Sequence, residues 1–194
     1  PVFHSTSETR GVVDCVVMAA TQLSQQHIGA LIAIERDVGT RAIQDTGIRL
    51  DSLVNPEVLV NIFYPNTPLH DGGVILCGNR IAAAACLFPL SQNMDLTRGM
   101  GTRHRAAIGL TEETDALTVV VSEETGAISI SQQGNLTRDL DEDNLRRSLL
   151  SILVQETETE SHWRHVLRQL SANLGLGGRM SPGSGKEKGG GRGR

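Results

Sequence analysis

Aromatic side chains are scarce in this sequence of 194 residues, where Phe, Tyr and Trp together make up 3%. A core must therefore be packed from Val, Ile, Leu and Ala, and the hydrophobic fraction of 39% is sufficient for one domain with a tail. The sequence also lacks a signal peptide and any apolar run that could span a bilayer, so we expect this stretch of chain to be soluble.

Cysteines are few, and the charge is unevenly spread. Cys15, Cys77 and Cys86 lie in apolar stretches without the spacing of metal ligands, which predicts buried free thiols in a reducing compartment. Residues 179–194 carry a net charge of +4, so the rest of the chain carries −8. An acidic body argues against a broad nucleic-acid footprint, and we predict no nucleic-acid partner. Converging arginines can still bind a small phosphate ligand.

The order of helices and strands predicts an α/β fold, in which a central mixed β-sheet is flanked by helices. The clearest helix starts are a capping box at Ser5 and Glu8, the pair Asn55-Pro56, and the cap Asp141. We predict helices over 6–26, 55–64, 101–114 and from 141, strands over 28–34 and 48–54, a hairpin over 73–90, two or three strands within 116–140, and turns over 35–47.

The stretch LHDGG, residues 69–73, is the first polar cluster beside a predicted strand. Gly72 and Gly73 let a backbone approach a ligand closely, and Asp71 can accept a hydrogen bond from a ribose hydroxyl or hold a divalent cation. His70 can assist as a metal ligand. The alternative interpretation is a tight turn in which the Asp side chain bonds to its own backbone.

The stretch GTRHR, residues 101–105, opens a predicted helix, where unpaired N–H groups and the helix dipole favour anions. Arg103 and Arg105 can each bind a phosphate bidentately, and Thr102 adds a hydroxyl donor. Two arginines at this spacing point apart on a helix, so one can face a ligand while the other is structural. The alternative is an arginine pair on a solvated face.

The stretch SEETG, residues 122–126, follows a very apolar predicted strand. Ser122, Glu123 and Glu124 at a strand end can bond a ligand or a cation, although the same residues also make an ordinary polar turn. Taken together, the three clusters indicate a nucleotide site with a ribose and metal group, a phosphate group and a third polar edge.

Four stretches, GALIAIERD, PNTPLHDGG, GTRHRAAIGL and TDALTVVVSEETG, together resemble the diadenylate cyclase (DAC) domain, whose D-G-A and R-H-R motifs occur in this order. The similarity is strongest to the membrane-associated, CdaA-like type. It implies the DAC-domain fold and a cyclase catalytic domain over residues 1–154. The spacing of apolar residues predicts an amphipathic helix over 155–176, and composition predicts a disordered Gly-rich basic tail over 177–194.

The resemblance implies that ATP is the substrate, that two ATP molecules are condensed into cyclic di-AMP and two pyrophosphate, and that a face-to-face homodimer does this with Mg²⁺ or Mn²⁺. It also implies the cytoplasmic face of the cell membrane and a membrane-anchored regulator for the full-length protein. The residues that it implies are catalytic Asp71, Arg103 and His104; nucleotide-binding Gly72, Gly73, Leu87, Phe88, Thr102, Arg103, Arg105, Ser122, Glu123 and Glu124; and metal-binding Asp71, His70 and Glu124.

Two positions depart from the family pattern. Gly73 stands where the motif has alanine, and Leu87-Phe88 stands where relatives often have a tyrosine before a leucine. The alternative function is a catalytically inactive module that senses adenine nucleotides.

Overall fold

The computed structural model describes residues 5–93 and 100–154, so the helix predicted over 155–176 and the tail predicted over 177–194 lie outside the described residues. None of the described helices is long and apolar enough to cross a membrane. In chain order the elements are α1 Thr6–Gln25, β1 Ala30–Ile34, α2 Arg41–Gln44, β2 Ile48–Leu53, α3 Pro56–Phe63, β3 Gly73–Cys77, β4 Arg80–Cys86, α4 Thr102–Glu113, β5 Leu117–Val121, β6 Ile128–Gln132, β7 Asn135–Leu140 and the helix α5 over 142–154.

Local sequence explains where α1 and α3 begin. Ser5 Oγ accepts a hydrogen bond from the Glu8 N–H at 3.2 Å. Asn55 Oδ1 accepts hydrogen bonds from the N–H groups of Glu57 and Val58 at 2.9 and 3.2 Å. These caps satisfy N–H groups that a helix start leaves without intrahelical partners. Both helix starts are as the sequence predicts.

Seven strands form one sheet in the order β2-β4-β3-β1-β5-β6-β7. β1 and β3 are parallel, and every other neighbouring pair is antiparallel, so the predicted mixed sheet is confirmed. All residues of β1 and β5 are buried, because one face of the sheet packs against α1, α3 and α5 and the other face packs against α4. Three strands, β5 to β7, fill the region for which two or three were predicted.

The structure differs from the sequence prediction in two places. Residues 41–44 form the short helix α2 inside a stretch predicted as turns, and the Thr40 carbonyl accepts the Gln44 N–H at 2.9 Å. β4 ends before the predicted hairpin does, beside a register shift where Ala85 takes a φ of 53°. Such an irregularity bends a strand, so residues 87–90 leave the sheet.

The three cysteines are free thiols, as predicted, but Cys86 alone is fully buried, and Cys15 and Cys77 are half-buried. Burial raises the pKa of the Cys77 thiol to about 12 and that of Cys86 to about 11. Both thiols are therefore protonated at neutral pH, which makes them poor nucleophiles and poor metal ligands.

The strand register brings several loops to one edge of the sheet. Ala30 at the start of β1 pairs with Val121 at the end of β5, and Gly73 at the start of β3 pairs with Cys86 at the end of β4. Because β1 and β3 run parallel, both begin at this edge. The loops before β3, after β4 and after β5 therefore open together, and they carry the polar clusters found in the sequence.

Candidate active site

A cavity of about 840 Å³ opens at this edge of the sheet. It brings together residues from all three polar clusters and from the segment after β4. The predicted site residues in its lining are Asp71, Gly72, Gly73, Leu87, Phe88, Thr102, Arg103, His104, Ser122, Glu123 and Glu124.

The turn before β3 presents Asp71 at the cavity. Gly72 has a φ of +113°, which favours glycine, and an added Cβ would lie 2.7 Å from the carbonyl carbon of Ala85. The turn therefore needs glycine both for its conformation and for its close approach to β4. Asp71 itself is exposed, so its carboxylate is accessible to a ligand in the cavity.

The N-terminus of α4 faces the same cavity. Its N-cap, Gly101, has no side chain that could cap the helix, and both Gly101 and Thr102 line the cavity. The first backbone hydrogen bond of the helix runs from the Arg105 N–H to the Gly101 carbonyl at 3.2 Å. The preceding N–H groups of the first turn have no intrahelical acceptor, and the helix dipole adds partial positive charge. This end of α4 is suited to a phosphate group.

Arg103 is held at the cavity by two neighbours. Its Nη1 donates a hydrogen bond to Glu123 Oε2 at 2.9 Å. The guanidinium also lies over Gly29, where an added Cβ would be 2.8 Å from Arg103 Cζ and 3.1 Å from Glu123 Cβ. The Glu123 side chain is 67% exposed, so this ion pair contributes little to stability, and a phosphate can compete for the guanidinium.

His104 is buried, with 7% of its surface exposed, and lines the cavity. Burial lowers the pKa of its imidazole from the ordinary 6.5, and the positive charge of Arg138 lowers this pKa further. The ring is therefore neutral at pH 7, so one ring nitrogen donates and the other accepts. A neutral His104 can orient a ligand by hydrogen bonding without adding charge.

The loop after β5 is a tight turn. Ser122 N–H donates to the Ala127 carbonyl at 2.9 Å, and Ser122 Oγ accepts the Thr125 N–H at 3.3 Å. Glu124 is exposed and lines the cavity with Ser122. Residues 122–126 can therefore be both an ordinary polar turn and part of a ligand site, because the turn places polar side chains at the cavity.

Two predicted residues do not line the cavity. His70 Nδ1 lies 2.5 Å from the Thr67 carbonyl oxygen, within its own loop. Arg105 follows Arg103 by two positions on α4 and is half-buried, with no hydrogen-bond partner for its Nε among the described residues. This placement agrees with the expectation that only one arginine of the pair faces a ligand.

The carboxylates at the cavity fit a metal that arrives with a phosphate ligand. Within residues 5–93 and 100–154, no group of three or more His, Cys, Asp or Glu side chains is arranged to hold a metal ion. Asp71 and Glu124 line the same cavity, however, and Mg²⁺ is commonly held by one or two carboxylates together with substrate phosphates and water. The donor set suits shared coordination with a nucleotide.

Arg138 on β7 is a charged residue of the site that the sequence does not predict. It lines the cavity, and its charge acts on His104. In the sequence, Arg138 is one of several polar residues in a predicted strand, and it belongs to no motif. Its position depends on the pairing of β7 with β6, which places it near the start of α4.

The family model DAC, described as the nucleotide-binding part of the DisA bacterial checkpoint controller, matches residues 17–136. The chain belongs to the DAC family. The match includes every predicted site residue, and it confirms the resemblance inferred from the sequence motifs.

Curated relatives of this DAC domain carry names that describe cyclic dinucleotide synthesis. The cyclic di-AMP synthase CdaA of Bacillus subtilis is 46% identical over 168 residues, which are 84% of this chain and 60% of that protein. A diadenylate cyclase of Listeria monocytogenes serotype 1/2a is 46% identical over 150 residues, 77% of this chain and 55% of that protein. The chain therefore spans less than two thirds of the length of either relative.

Two solved structures share the fold of this DAC domain. A double mutant of DacA from Staphylococcus aureus matches with a TM-score of 0.71 and 42% identity over 73% of this chain and 94% of that chain. A hypothetical membrane spanning protein from Bacillus cereus matches with a TM-score of 0.64 and 42% identity over 66% of this chain and 63% of that chain. The mixed sheet flanked by helices is therefore the DAC fold.

Proposed function

We propose that this DAC domain is a diadenylate cyclase, which joins two ATP molecules into cyclic di-AMP and releases two pyrophosphate. The observation that carries the proposal is that one cavity collects the Asp71 turn, the start of α4 with Arg103, and the strand end at Ser122. These groups suit a ribose, a phosphate chain and a metal. The names of the relatives, a cyclic di-AMP synthase and a diadenylate cyclase, support the same reaction.

The chemistry consists of two equivalent steps. In each step the ribose 3′-oxygen of one ATP attacks the α-phosphorus of the other, the bond from that phosphorus to the β-phosphate oxygen breaks, and pyrophosphate leaves. Asp71 accepts the hydroxyl proton or orients the hydroxyl group by a hydrogen bond. The uncapped start of α4 and Arg103 bind the phosphates and offset the negative charge that develops there.

We propose that Asp71 and Glu124 are ligands of a Mg²⁺ or Mn²⁺ ion that binds with ATP. Such an ion lowers the pKa of the attacking hydroxyl and offsets charge on the phosphates. A carboxylate alone is a weak base toward a ribose hydroxyl, so a metal ion that acidifies the hydroxyl would help Asp71 to take up its proton. A role for His70 as a further metal ligand stays a prediction, because its Nδ1 contacts the Thr67 carbonyl within its own loop.

We further propose that two copies meet with their cavities face to face. The product is a two-fold ring built from two ATP molecules, so a two-fold dimer with one ATP in each protomer is the simplest catalyst. Alignment of the reacting atoms in such a dimer supplies about 7–11 kcal/mol. We also propose that, in a longer protein, the domain lies at the cytoplasmic face of the membrane and works with a membrane-anchored regulator. The similarity to the solved structure of a hypothetical membrane spanning protein supports the membrane location.

An inactive sensor of adenine nucleotides is the alternative function. The observation that favours it is Gly73, which replaces the alanine of the family motif two positions after Asp71. Asp71, Arg103 and Glu124 nevertheless line one cavity, and a sensor needs no such set of catalytic side chains. Turnover of ATP distinguishes the two functions.

The test is to incubate the purified protein with ATP and Mg²⁺ or Mn²⁺ and to measure cyclic di-AMP and pyrophosphate. We expect both products, and we expect Asp71→Asn to lower the rate by about 100-fold or more, because an amide cannot take up the proton. The variant should keep the wild-type Tm.

The matched control is Asp45→Asn. Asp45 is exposed, lies outside the cavity and forms an ion pair with Arg41 on α2. Its rate should equal that of the wild type. A wild-type protein that binds ATP without forming product would support the sensor, and an active Asp71→Asn variant would refute the role of Asp71.

A further inference from the structure

The apolar part of the cavity lining has one notable contact, between Gly73 and Phe88. An ideal Cβ at position 73 would lie within 2.8 Å of three atoms at the tip of the Phe88 ring, Cζ, Cε1 and Cε2. Real Cβ atoms do not approach neighbours this closely, so the ring occupies the volume that any other residue at position 73 would need. The phenyl group can sit here only because position 73 is glycine.

The end of β4 explains why Phe88 points inward. β4 is irregular at Ala85, whose φ is 53°, and ends at Cys86. The Leu87 N–H then donates to Thr46 Oγ1 at 2.9 Å. Leu87 is 71% exposed, whereas Phe88 is 8% exposed. Both side chains line the cavity, but the phenyl ring packs into the buried cluster on the sheet while the leucine stays largely exposed.

The Phe88 ring is firmly supported. It belongs to the buried cluster on the α4 side of the sheet, which includes Leu31, Ala106 and Ala107. Phe88 also lines the cavity, and among the described lining residues it carries the one phenyl ring. A rigid aromatic ring at the edge of a nucleotide cavity is a suitable surface for a stacked base.

We propose that Gly73 and Phe88 form a size-matched pair, in which the missing Cβ admits the phenyl ring that serves as the stacking surface for the purine base. Gly73 and Phe88 belong to the two positions at which this chain departs from the family pattern. Because these two residues contact each other, the two departures are one coupled change. Phe88, and not the exposed Leu87, is the residue that determines base affinity. This inference rests on the proposed nucleotide site but does not require turnover.

A double-mutant cycle with Gly73→Ala, Phe88→Leu and the double variant tests the pair. Binding is measured by calorimetry with α,β-methylene ATP, in which the bond that would break is blocked. We expect each single variant to bind about tenfold more weakly, the first because the added methyl group displaces the ring and the second because stacking surface is lost. The double variant should bind no worse than Phe88→Leu, because the shorter side chain leaves room for the methyl group.

Two further measurements separate stacking from packing. The triphosphate of 2-aminopurine riboside, which loses fluorescence when it stacks, should be quenched by the wild type and much less by Phe88→Leu. In turnover, Phe88→Leu should raise KM with little change in kcat, because the base is remote from the reacting atoms. Two control variants should keep wild-type quenching. They are Gly39→Ala, where nothing lies within 4 Å of the added Cβ, and Phe63→Leu, which lies in the core cluster on the other face of the sheet.

The outcomes are distinct. If the fold-loss of nucleotide affinity in the double variant equals the product of the fold-losses in the two single variants, the size match is overturned. Unchanged fluorescence quenching in Phe88→Leu would overturn the stacking role. If Gly73→Ala does not fold, recovery of folding in the double variant supports the pair and failure to recover contradicts it. A coupled binding pattern in a protein without cyclic product would uphold the pair and refute the proposed cyclase.

Discussion

At the scale of single residues, Arg103 depends on Gly29, which has no reactive group of its own. The guanidinium occupies the space that a side chain at position 29 would take, and Glu123 pairs with it there. Glu123 comes from the loop after β5, and Gly29 immediately precedes β1. Because those two strands are paired, the sheet itself builds the support for the arginine.

Gly29→Ala should therefore move the Arg103 guanidinium away from the cavity. We expect kcat/KM for ATP to fall by about 10- to 100-fold, because small displacements of a positioning group have effects of this size. Gly11→Ala on α1 is the control, since nothing lies within 4 Å of the added Cβ, and it should keep wild-type activity. Wild-type kinetics in Gly29→Ala would show that the arginine does not need this space.

The lowered pKa of His104 makes the stability of the fold depend on pH. Because the pKa of His104 is below 6.5 in the folded state, the unfolded chain binds its proton at a higher pH than the folded chain. This contribution to stability is complete above the unfolded pKa, and it is lost as the pH falls through the folded pKa.

We expect the wild-type Tm to decrease between about pH 7.5 and about pH 5 by more than the Tm of His104→Gln. Arg138→Ala should reduce the difference between them, because it removes the positive charge that helps to lower the pKa of His104. Scanning calorimetry across this pH range measures all three proteins. Parallel pH curves for wild type and His104→Gln would contradict the prediction.

The residues of the site differ in how well the sequence could reveal them. Asp71 and Thr102 stand beside glycines at the start of predicted elements, where local chemistry is enough to suggest ligand binding. Arg138 and Gly29 carry no such local pattern, since each acts through a residue from another part of the chain. Contacts of this kind depend on strand pairing and side-chain packing, which a single sequence does not display.

At the scale of elements, the start of α3 shows how far local sequence controls structure. Asn55 Oδ1 accepts two N–H groups of the first turn, and Pro56 supplies the fixed φ that suits the first helical position. The end of β4 is different, because the positive φ of Ala85 is imposed by the register shift against β3. The sequence therefore predicts the helix start well and the strand end poorly.

Asn55→Ala should destabilise the protein without affecting the cavity. We expect the free energy of unfolding to fall by about 1 kcal/mol and the Tm by about 2–4 °C, because two N–H groups lose their acceptor. Asn61→Ala on the same helix is the control, because Asn61 is exposed and is not the cap. Product formation at room temperature should be unchanged in both variants, and equal losses of stability would show that the cap is not the cause.

At the scale of the whole molecule, the sheet order decides which loops share the cavity. Composition and periodicity predict a mixed sheet, but the order β2-β4-β3-β1-β5-β6-β7 follows from pairings between distant segments. The parallel pairing of β1 and β3 is decisive, because it puts the start of both strands, the Asp71 turn and the end of β5 at one edge. The same edge would face the second copy of the protein in a two-fold dimer.

The last prediction concerns that second copy. If each protomer supplies one ATP, the rate of product formation per chain should fall on dilution in excess ATP, because dimers dissociate. An excess of Asp71→Asn added to a fixed amount of wild type should also lower the rate, since wild-type protomers are drawn into mixed pairs that cannot complete the ring. An unrelated protein at the same concentration is the control. A rate per wild-type chain that is independent of both dilution and added variant would mean that one copy performs both steps.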